Sequence, residues 1–108
     1  MITISLFRNK NHNIQGFTVK GHAGFGEHGT DIVCAAVTTA AMTTVNGLTD
    51  VVHISLTPEV REGYLSCCLP EKLSEEQRRE ADVLLESMVL TMQNLESQYG
   101  DYIRLREE

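Results

Sequence analysis

The longest regular pattern in the sequence is an amphipathic helix predicted for the last third of the chain. Ser74 followed by Gln77 fits a capping box, in which the two residues satisfy each other's backbone N–H groups at a helix start. Apolar residues then recur at helical spacing, and Gly100 stands where the helix should end: Ala81, Leu84, Leu85, Met88, Met92, Leu95 and Tyr99. A helix with one apolar face has to bury that face, so the rest of the chain must supply a matching apolar surface.

Strand patterns elsewhere in the chain supply that surface. Five segments are rich in β-branched, aromatic or alternating residues: 2–8, 14–20, 51–56, 63–69 and 101–105. The turn-forming run Asn9–Asn13 separates the first two and Pro58 separates the next two, so each pair is predicted to form a hairpin. An apolar helix is predicted from Ile32 to about Leu48, with Asp31 as its N-cap. The order ββαββα(β) predicts an α+β two-layer sandwich, with two helices packed on a mostly antiparallel sheet.

Length and charge limit the classes of protein to consider. The 108 residues suit one domain, spanning 1–108, which can fold without a disulfide or a metal. We expect no membrane span, because no apolar run approaches the roughly 20 residues that a span needs. The N-terminus lacks the pattern of a secretory signal, so we expect a cytoplasmic protein without membrane contact. Residues 54–108 carry the whole net charge of −6. An acidic domain repels phosphate, so we expect no direct nucleic-acid binding, whereas a basic protein partner fits.

The segment from Gly21 to Cys34 holds the residues best suited to catalysis. It places His22 at the end of a predicted strand and Cys34 at the third position of the helix capped by Asp31. A thiolate at that position is stabilised by the positive end of the helix dipole and by unpaired backbone N–H groups. A histidine within reach would complete the thiolate–imidazolium pair of cysteine hydrolases, and the same N–H groups could stabilise an oxyanion.

Each of these residues also has a purely structural interpretation. A cysteine in an apolar helix turn is often a small core residue, and Asp31 can be a plain helix cap. His22 near a strand end can be a surface or hydrogen-bonded residue. The four glycines between residues 21 and 31 could simply make a turn, although four in eleven residues is more than a turn needs. A zinc site of His22, His28 and Cys34 matches no standard ligand spacing, so we expect no metal.

The run Gly21-His22-Ala23-Gly24, a short glycine-bearing loop, and then Gly29-Thr30-Asp31-Ile32-Val33-Cys34-Ala35-Ala36-Val37 resembles the signature of the bacterial ribosomal-processing cysteine protease family. The resemblance extends over essentially the whole chain, to the closing Asp101-Tyr102-Ile103. Two positions depart from the family pattern: His28 stands where an aromatic residue is common, and Thr38 where serine is common. Both departures concern the surroundings of the motif and leave its histidine and cysteine unchanged.

The resemblance implies a specific activity. Such enzymes remove the N-terminal extension of a large-subunit ribosomal protein precursor, cutting after a pair of phenylalanines. They form homodimers with a two-layer fold and use no metal or organic cofactor. Carried over by position, Cys34 is the nucleophile and His22 the general base, while Asp31 is a possible orienting residue. The implied substrate loop consists of Gly24, Phe25, Gly26, Glu27, His28 and Gly29, and it would fold over the substrate and bring His22 into range.

The sequence therefore predicts a cytoplasmic cysteine endopeptidase that processes a ribosomal protein precursor. Two other classes stay open. One is a non-enzymatic ribosome-assembly or adaptor protein that binds the same partner. The other is a thiol redox switch centred on Cys34, for which Cys67 and Cys68 are the candidate resolving cysteines.

Overall fold

A computed structural model of the chain describes residues 1–22 and 31–108. Within these residues the strands are β1 (Ile2–Arg8), β2 (Ile14–Lys20), β3 (Glu59–Arg61), β4 (Tyr64–Cys68) and β5 (Ile103–Glu107). The helices are α1 (Ile32–Asn46), which continues into a π-helical turn over Gly47–Val51, and α2 (Glu75–Gln98). The predicted substrate loop, Gly24–Gly29, lies outside the described residues. The predicted order of elements is confirmed.

The described strands form one five-stranded sheet in the order β3-β4-β2-β1-β5. β2 pairs antiparallel with β1 on one side and with β4 on the other, and β3 pairs antiparallel with β4. β5 pairs with β1 in parallel, because α2 carries the chain across the sheet between β4 and β5. The prediction of two helices on a mostly antiparallel sheet is therefore confirmed.

The segment 51–56 is not a strand, contrary to the sequence prediction. The N–H of Val52 donates to the carbonyl of Gly47 at 2.9 Å. The N–H of Ile54 donates to the carbonyl of Leu48, also at 2.9 Å. These bonds prolong the end of the helix, and they use backbone donors that a strand ladder would need. The β-branched composition of the segment therefore predicted the wrong secondary structure.

The partner of β4 is instead the short strand β3, and the turn between them is not at Pro58. The turn consists of Glu62 and Gly63, since Arg61 is paired directly with Tyr64. Gly63 has a φ of 70°, a conformation that suits glycine because it has no Cβ. The sequence prediction placed this hairpin too early in the chain.

Both helices contribute one face to a common core with the sheet. The capping box at Ser74 is present, and α2 ends at a C-cap on Tyr99. The predicted apolar face is confirmed, with four of its residues buried and three partly buried against the core: Ala81, Leu85, Met88 and Met92, then Leu84, Leu95 and Tyr99. α1 adds Val33, Val37 and Ala41 to the same core, so the start of the helix, where Cys34 lies, is packed against the sheet.

Among residues 1–22 and 31–108, one helical segment, Ile32–Val51, is long and apolar enough to cross a membrane by length and composition alone. The sequence-based statement that no apolar run approaches this length is therefore wrong. Core helices of globular proteins meet the same criterion, and Val33, Val37 and Ala41 of this segment are buried in the core. The segment is thus only weak evidence for a membrane span.

Candidate active site

A cavity of about 570 Å³ lies between α1 and the sheet. Among the described residues, His22, Asp31 and Cys34 all line it, so the structure brings the three predicted site residues to one place. Much of the remaining wall is apolar: Ile2, Val19, Val37, Ala41, Val60 and Leu65. The cavity therefore combines a thiol and an imidazole with a surface suited to apolar side chains.

Asp31 places Cys34 at the start of α1. Its backbone is extended, with φ −73° and ψ 104°, and its carbonyl accepts the N–H of Ala35 at 3.1 Å. Its Oδ1 accepts the N–H groups of Val33 and Cys34, each at 3.0 Å. Asp31 is therefore the N-cap, and Cys34 is the third residue of the helix, both as predicted.

The same hydrogen bonds correct one expectation about chemistry. The N–H of Cys34 already donates to Asp31, so this group is not an unoccupied donor for an oxyanion in this conformation. The Asp31 carboxylate also occupies the positive end of the helix dipole, which a Cys34 thiolate would share. An oxyanion at Cys34 would have to compete with Asp31 for that N–H.

His22 is held between the end of β2 and the turn that joins β3 to β4. The preceding residue, Gly21, has a φ of 95°, and its N–H donates to the carbonyl of Gly63 at 2.8 Å. The N-terminal ammonium group of Met1 donates to the carbonyl of His22. The imidazole lies against Gly63, with its Nε2 atom 3.0 Å from the position that a Cβ would take there. Backbone hydrogen bonds thus hold the main chain at Gly21 and His22, and the His22 ring lies at the cavity wall.

The other two cysteines lie apart from the cavity. Cys67 is buried in β4, and desolvation, followed by the neighbouring Cys68, raises the pKa of its thiol to about 11. Cys68 is exposed on the same strand. In the described part of the chain neither residue lines the cavity that holds Cys34. Nothing in this arrangement favours either one as the resolving cysteine of a redox switch.

A metal site finds no support among residues 1–22 and 31–108, where no group of three His, Cys, Asp or Glu side chains is placed to hold an ion. His28, the third member of the zinc set weighed from the sequence, lies outside the described residues.

The sequence did not reveal the part of the cavity formed by the β3–β4 hairpin. Val60, Arg61, Gly63 and Tyr64 line it. The Arg61 guanidinium lies over the Tyr64 ring, 4.2 Å from its centroid, a cation–π contact at the cavity wall. These residues were missed because the hairpin was predicted around Pro58, although the glycine at position 63 between two strand-like stretches could have marked the turn.

Comparison with known proteins finds relatives over nearly the whole chain. A family model described as "Cysteine protease Prp" matches residues 1–104. The Ribosomal processing cysteine protease Prp of Bacillus subtilis strain 168 is 34% identical over 107 residues, which cover 97% of this chain and 96% of that protein. The protein of the same name from Staphylococcus aureus strain Mu50 is 29% identical over 108 residues, with 97% of each chain covered.

Solved structures resemble the whole chain. The S. aureus ribosomal processing protease Prp in complex with a covalently linked product peptide superposes with a TM-score of 0.88 at 25% identity, covering 100% of both chains. The same protease with a substrate peptide gives a TM-score of 0.83 at 24% identity, again over 100% of both chains. The fold is thus one found in proteases that bind peptides.

Proposed function

Because this chain belongs to the cysteine protease Prp family, we propose that it removes the N-terminal extension of a bacterial large-subunit ribosomal protein precursor. Family membership makes it a cysteine protease and therefore a hydrolase. The observation that carries the proposal is that Cys34 and His22 line one cavity, at the start of α1 and just after β2. We propose these two residues as the catalytic dyad, acting in the cytoplasm without a metal or an organic cofactor.

The proposed reaction proceeds in two steps through an acyl-enzyme. His22 takes the proton of the Cys34 thiol, and the sulfur attacks the carbonyl carbon of the scissile peptide bond. The carbon–nitrogen bond breaks, His22 gives its proton to the departing amine, and the N-terminal fragment stays on sulfur as a thioester. Water, deprotonated by His22, then attacks the thioester and releases the fragment as an acid with regeneration of the thiol. The covalently linked product peptide of the S. aureus relative supports such a step.

The cavity wall supports the proposed cleavage after a pair of phenylalanines. Val37, Ala41 and Leu65 offer an apolar surface in the cavity that contains Cys34. Burying an aromatic ring against such a surface removes about 150–250 Å² from water, which makes phenylalanine an effective anchor. The net charge of −6 would attract the basic tail expected of a ribosomal protein.

Two further roles stay predictions within this proposal. Asp31 acts chiefly as the helix cap, through its bonds to Val33 and Cys34, and only secondarily as an orienting residue. The substrate loop Gly24–Gly29, which lies outside the described residues, is proposed to contact the bound peptide.

We also propose that the chain is a homodimer. Of the small residues of α1, Ala41 is buried in the core, whereas Ala35, Ala36 and Ala40 line a groove between α1 and α2. Apolar Ile32 lines the same groove and is 56% exposed. Sedimentation at micromolar concentration should give a particle of about twice the 12.0 kDa chain mass, and a 12 kDa particle would contradict the dimer.

The experiment that tests the function is incubation of the protein with a ribosomal protein precursor, followed by mass spectrometry of the products. The wild type should release the N-terminal extension, and Cys34→Ala and Cys34→Ser should not. Cys68→Ser is the matched control, because it removes an exposed thiol that does not line the cavity, and it should cleave like the wild type. A non-enzymatic adaptor would instead leave the precursor intact, and its Cys34→Ser variant would still perform the biological role of the wild type.

A further inference from the structure

We propose that Gly63, in the turn between β3 and β4, is a positioning residue that holds the His22 imidazole in the cavity. This inference rests on the proposed role of His22 as the general base. It concerns a residue of the hairpin and not of the motif that contains His22 and Cys34.

The first observation is a contact between Gly63 and the histidine ring. A Cβ added at Gly63 would lie 3.0 Å from Nε2 of His22, and 3.6 Å from both Cδ2 and Cε1. These are the three heavy atoms nearest to that position, so the imidazole is the first group that a side chain at position 63 would meet. A side chain at position 63 would have to push the ring away from its place.

The second observation is that the backbone of the two segments is tied together at this point. The N–H of Gly21 donates to the carbonyl of Gly63 at 2.8 Å. A Cβ at Gly21 would collide with the carbonyl oxygen of Met1, so the glycine lets the chain that leads into His22 pass close to Met1. Because backbone hydrogen bonds hold Gly21 and His22 at this point, we expect a side chain at position 63 to rotate the His22 ring within the cavity.

A rotated ring would no longer have the orientation in which it serves Cys34. General-base assistance depends on hydrogen-bond reach, which displacements of about 1 Å are enough to disturb. Among the described residues, the other titratable or charged groups that line the cavity are Asp31, Arg61 and Tyr64.

Gly63 also serves the turn, since its φ is 70°, and the test has to separate the two roles. Asparagine tolerates positive φ better than other residues with a Cβ, so Gly63→Asn keeps the turn and adds the steric contact. Gly63→Ala adds the contact with more backbone strain. Gly100→Ala is the matched control. Its added Cβ would lie 3.2 Å from the carbonyl oxygen of Glu96, a similarly close contact, and neither residue lines the cavity.

The experiment compares kcat, KM and the pH profile of kcat/KM for precursor cleavage in the wild type, the three variants and His22→Ala. In Gly63→Asn we expect kcat/KM to fall at least about tenfold, mainly through kcat, and by no more than the roughly 10²–10⁴-fold that general-base catalysis supplies. The pH profile of kcat/KM should change in the same direction as in His22→Ala, because both variants lose the imidazole from its place beside Cys34. Added to His22→Ala, Gly63→Asn should cause no further loss, because both act through the same ring.

Several outcomes would overturn the inference. They are a wild-type pH profile and kcat in Gly63→Asn, losses that multiply in the double variant, or unfolding of both Gly63 variants while Gly100→Ala folds. The last would show that Gly63 serves the fold alone. Failure of the proposed function is a separate result: the wild type would then leave the precursor intact, or Cys34→Ala would cleave it, whatever the Gly63 variants do.

Discussion

The helix cap at Asp31 allows a sharp prediction, because one carboxylate is bonded to two backbone groups beside the proposed nucleophile. Asp31→Ala removes the acceptor for Val33 N–H and Cys34 N–H, each now 3.0 Å from Oδ1. Loss of an N-cap lowers the free energy of unfolding by about 1 kcal/mol, within a range of roughly 0.5–2 kcal/mol. For a domain near 100 residues this corresponds to a fall in Tm of about 4–8 °C.

Asp31→Asn is the matched variant, because its side-chain oxygen can still accept both N–H groups while the negative charge is gone. It should lose only the interaction between charge and helix dipole, about 0.3–1 kcal/mol. Its kcat/KM should stay within about threefold of the wild type, since a carboxylate at this helix end does not favour a thiolate on Cys34.

Thermal and urea unfolding followed by circular dichroism measure the stabilities, and precursor cleavage measures the activities. Equal stability of Asp31→Ala and the wild type would refute the capping argument. A loss of more than about tenfold in activity in a fully folded Asp31→Asn would show that the charge orients the site.

Three further predictions concern other side chains. His22→Ala should lower kcat by about 10²–10⁴-fold with a smaller change in KM, and wild-type kinetics would remove His22 from the mechanism. Hydrogen bonds from Arg8 lower the pKa of Glu86, so this pair stabilises the fold above the ordinary carboxyl pKa of 4.5 and loses its effect as the pH falls through the lowered value. Because the Glu86 side chain is 48% exposed, Glu86→Gln should lower the free energy of unfolding by less than about 1 kcal/mol at pH 7, and a difference that persisted at pH 2 would contradict this. Cys67, with its pKa near 11, should resist iodoacetamide at pH 8 in the native protein while exposed Cys68 reacts, and equal labelling of the two would refute the burial argument.

Local patterns were enough to predict the elements that carry their own periodicity. The capping box at Ser74 and the apolar spacing that follows it specify α2 without reference to the rest of the chain. The first hairpin was equally readable, because its residues alternate on either side of a turn-forming run. In both cases the structure follows the local preference.

The elements that depend on tertiary contacts could not be predicted in the same way. β3 has only three residues, all exposed, so no buried face marks it in the sequence. Residues 51–56 have strand-like composition but bond back to the helix end through Val52 and Ile54. Errors of this kind arise when non-local packing overrides intrinsic preference.

In the candidate site, too, the local features were predicted from the sequence and the tertiary contacts were not. The cap at Asp31 and the position of Cys34 are local features of one helix start, and both were predicted. The contact between His22 and Gly63 joins two segments far apart in the chain, and it depends on a turn that the sequence placed at Pro58. Only the assembled sheet brings these residues together.

The central claim is that Cys34 carries the N-terminal fragment as a thioester during turnover. The most direct test is the mass of the protein quenched in acid while it cleaves the precursor, followed by mapping of its peptides. We expect an adduct equal to the N-terminal fragment minus one water, located on the peptide that contains Cys34 and absent from Cys34→Ala. Cleavage that continues without an adduct in Cys34→Ala, or an adduct located on Cys67 or Cys68, would contradict the claim.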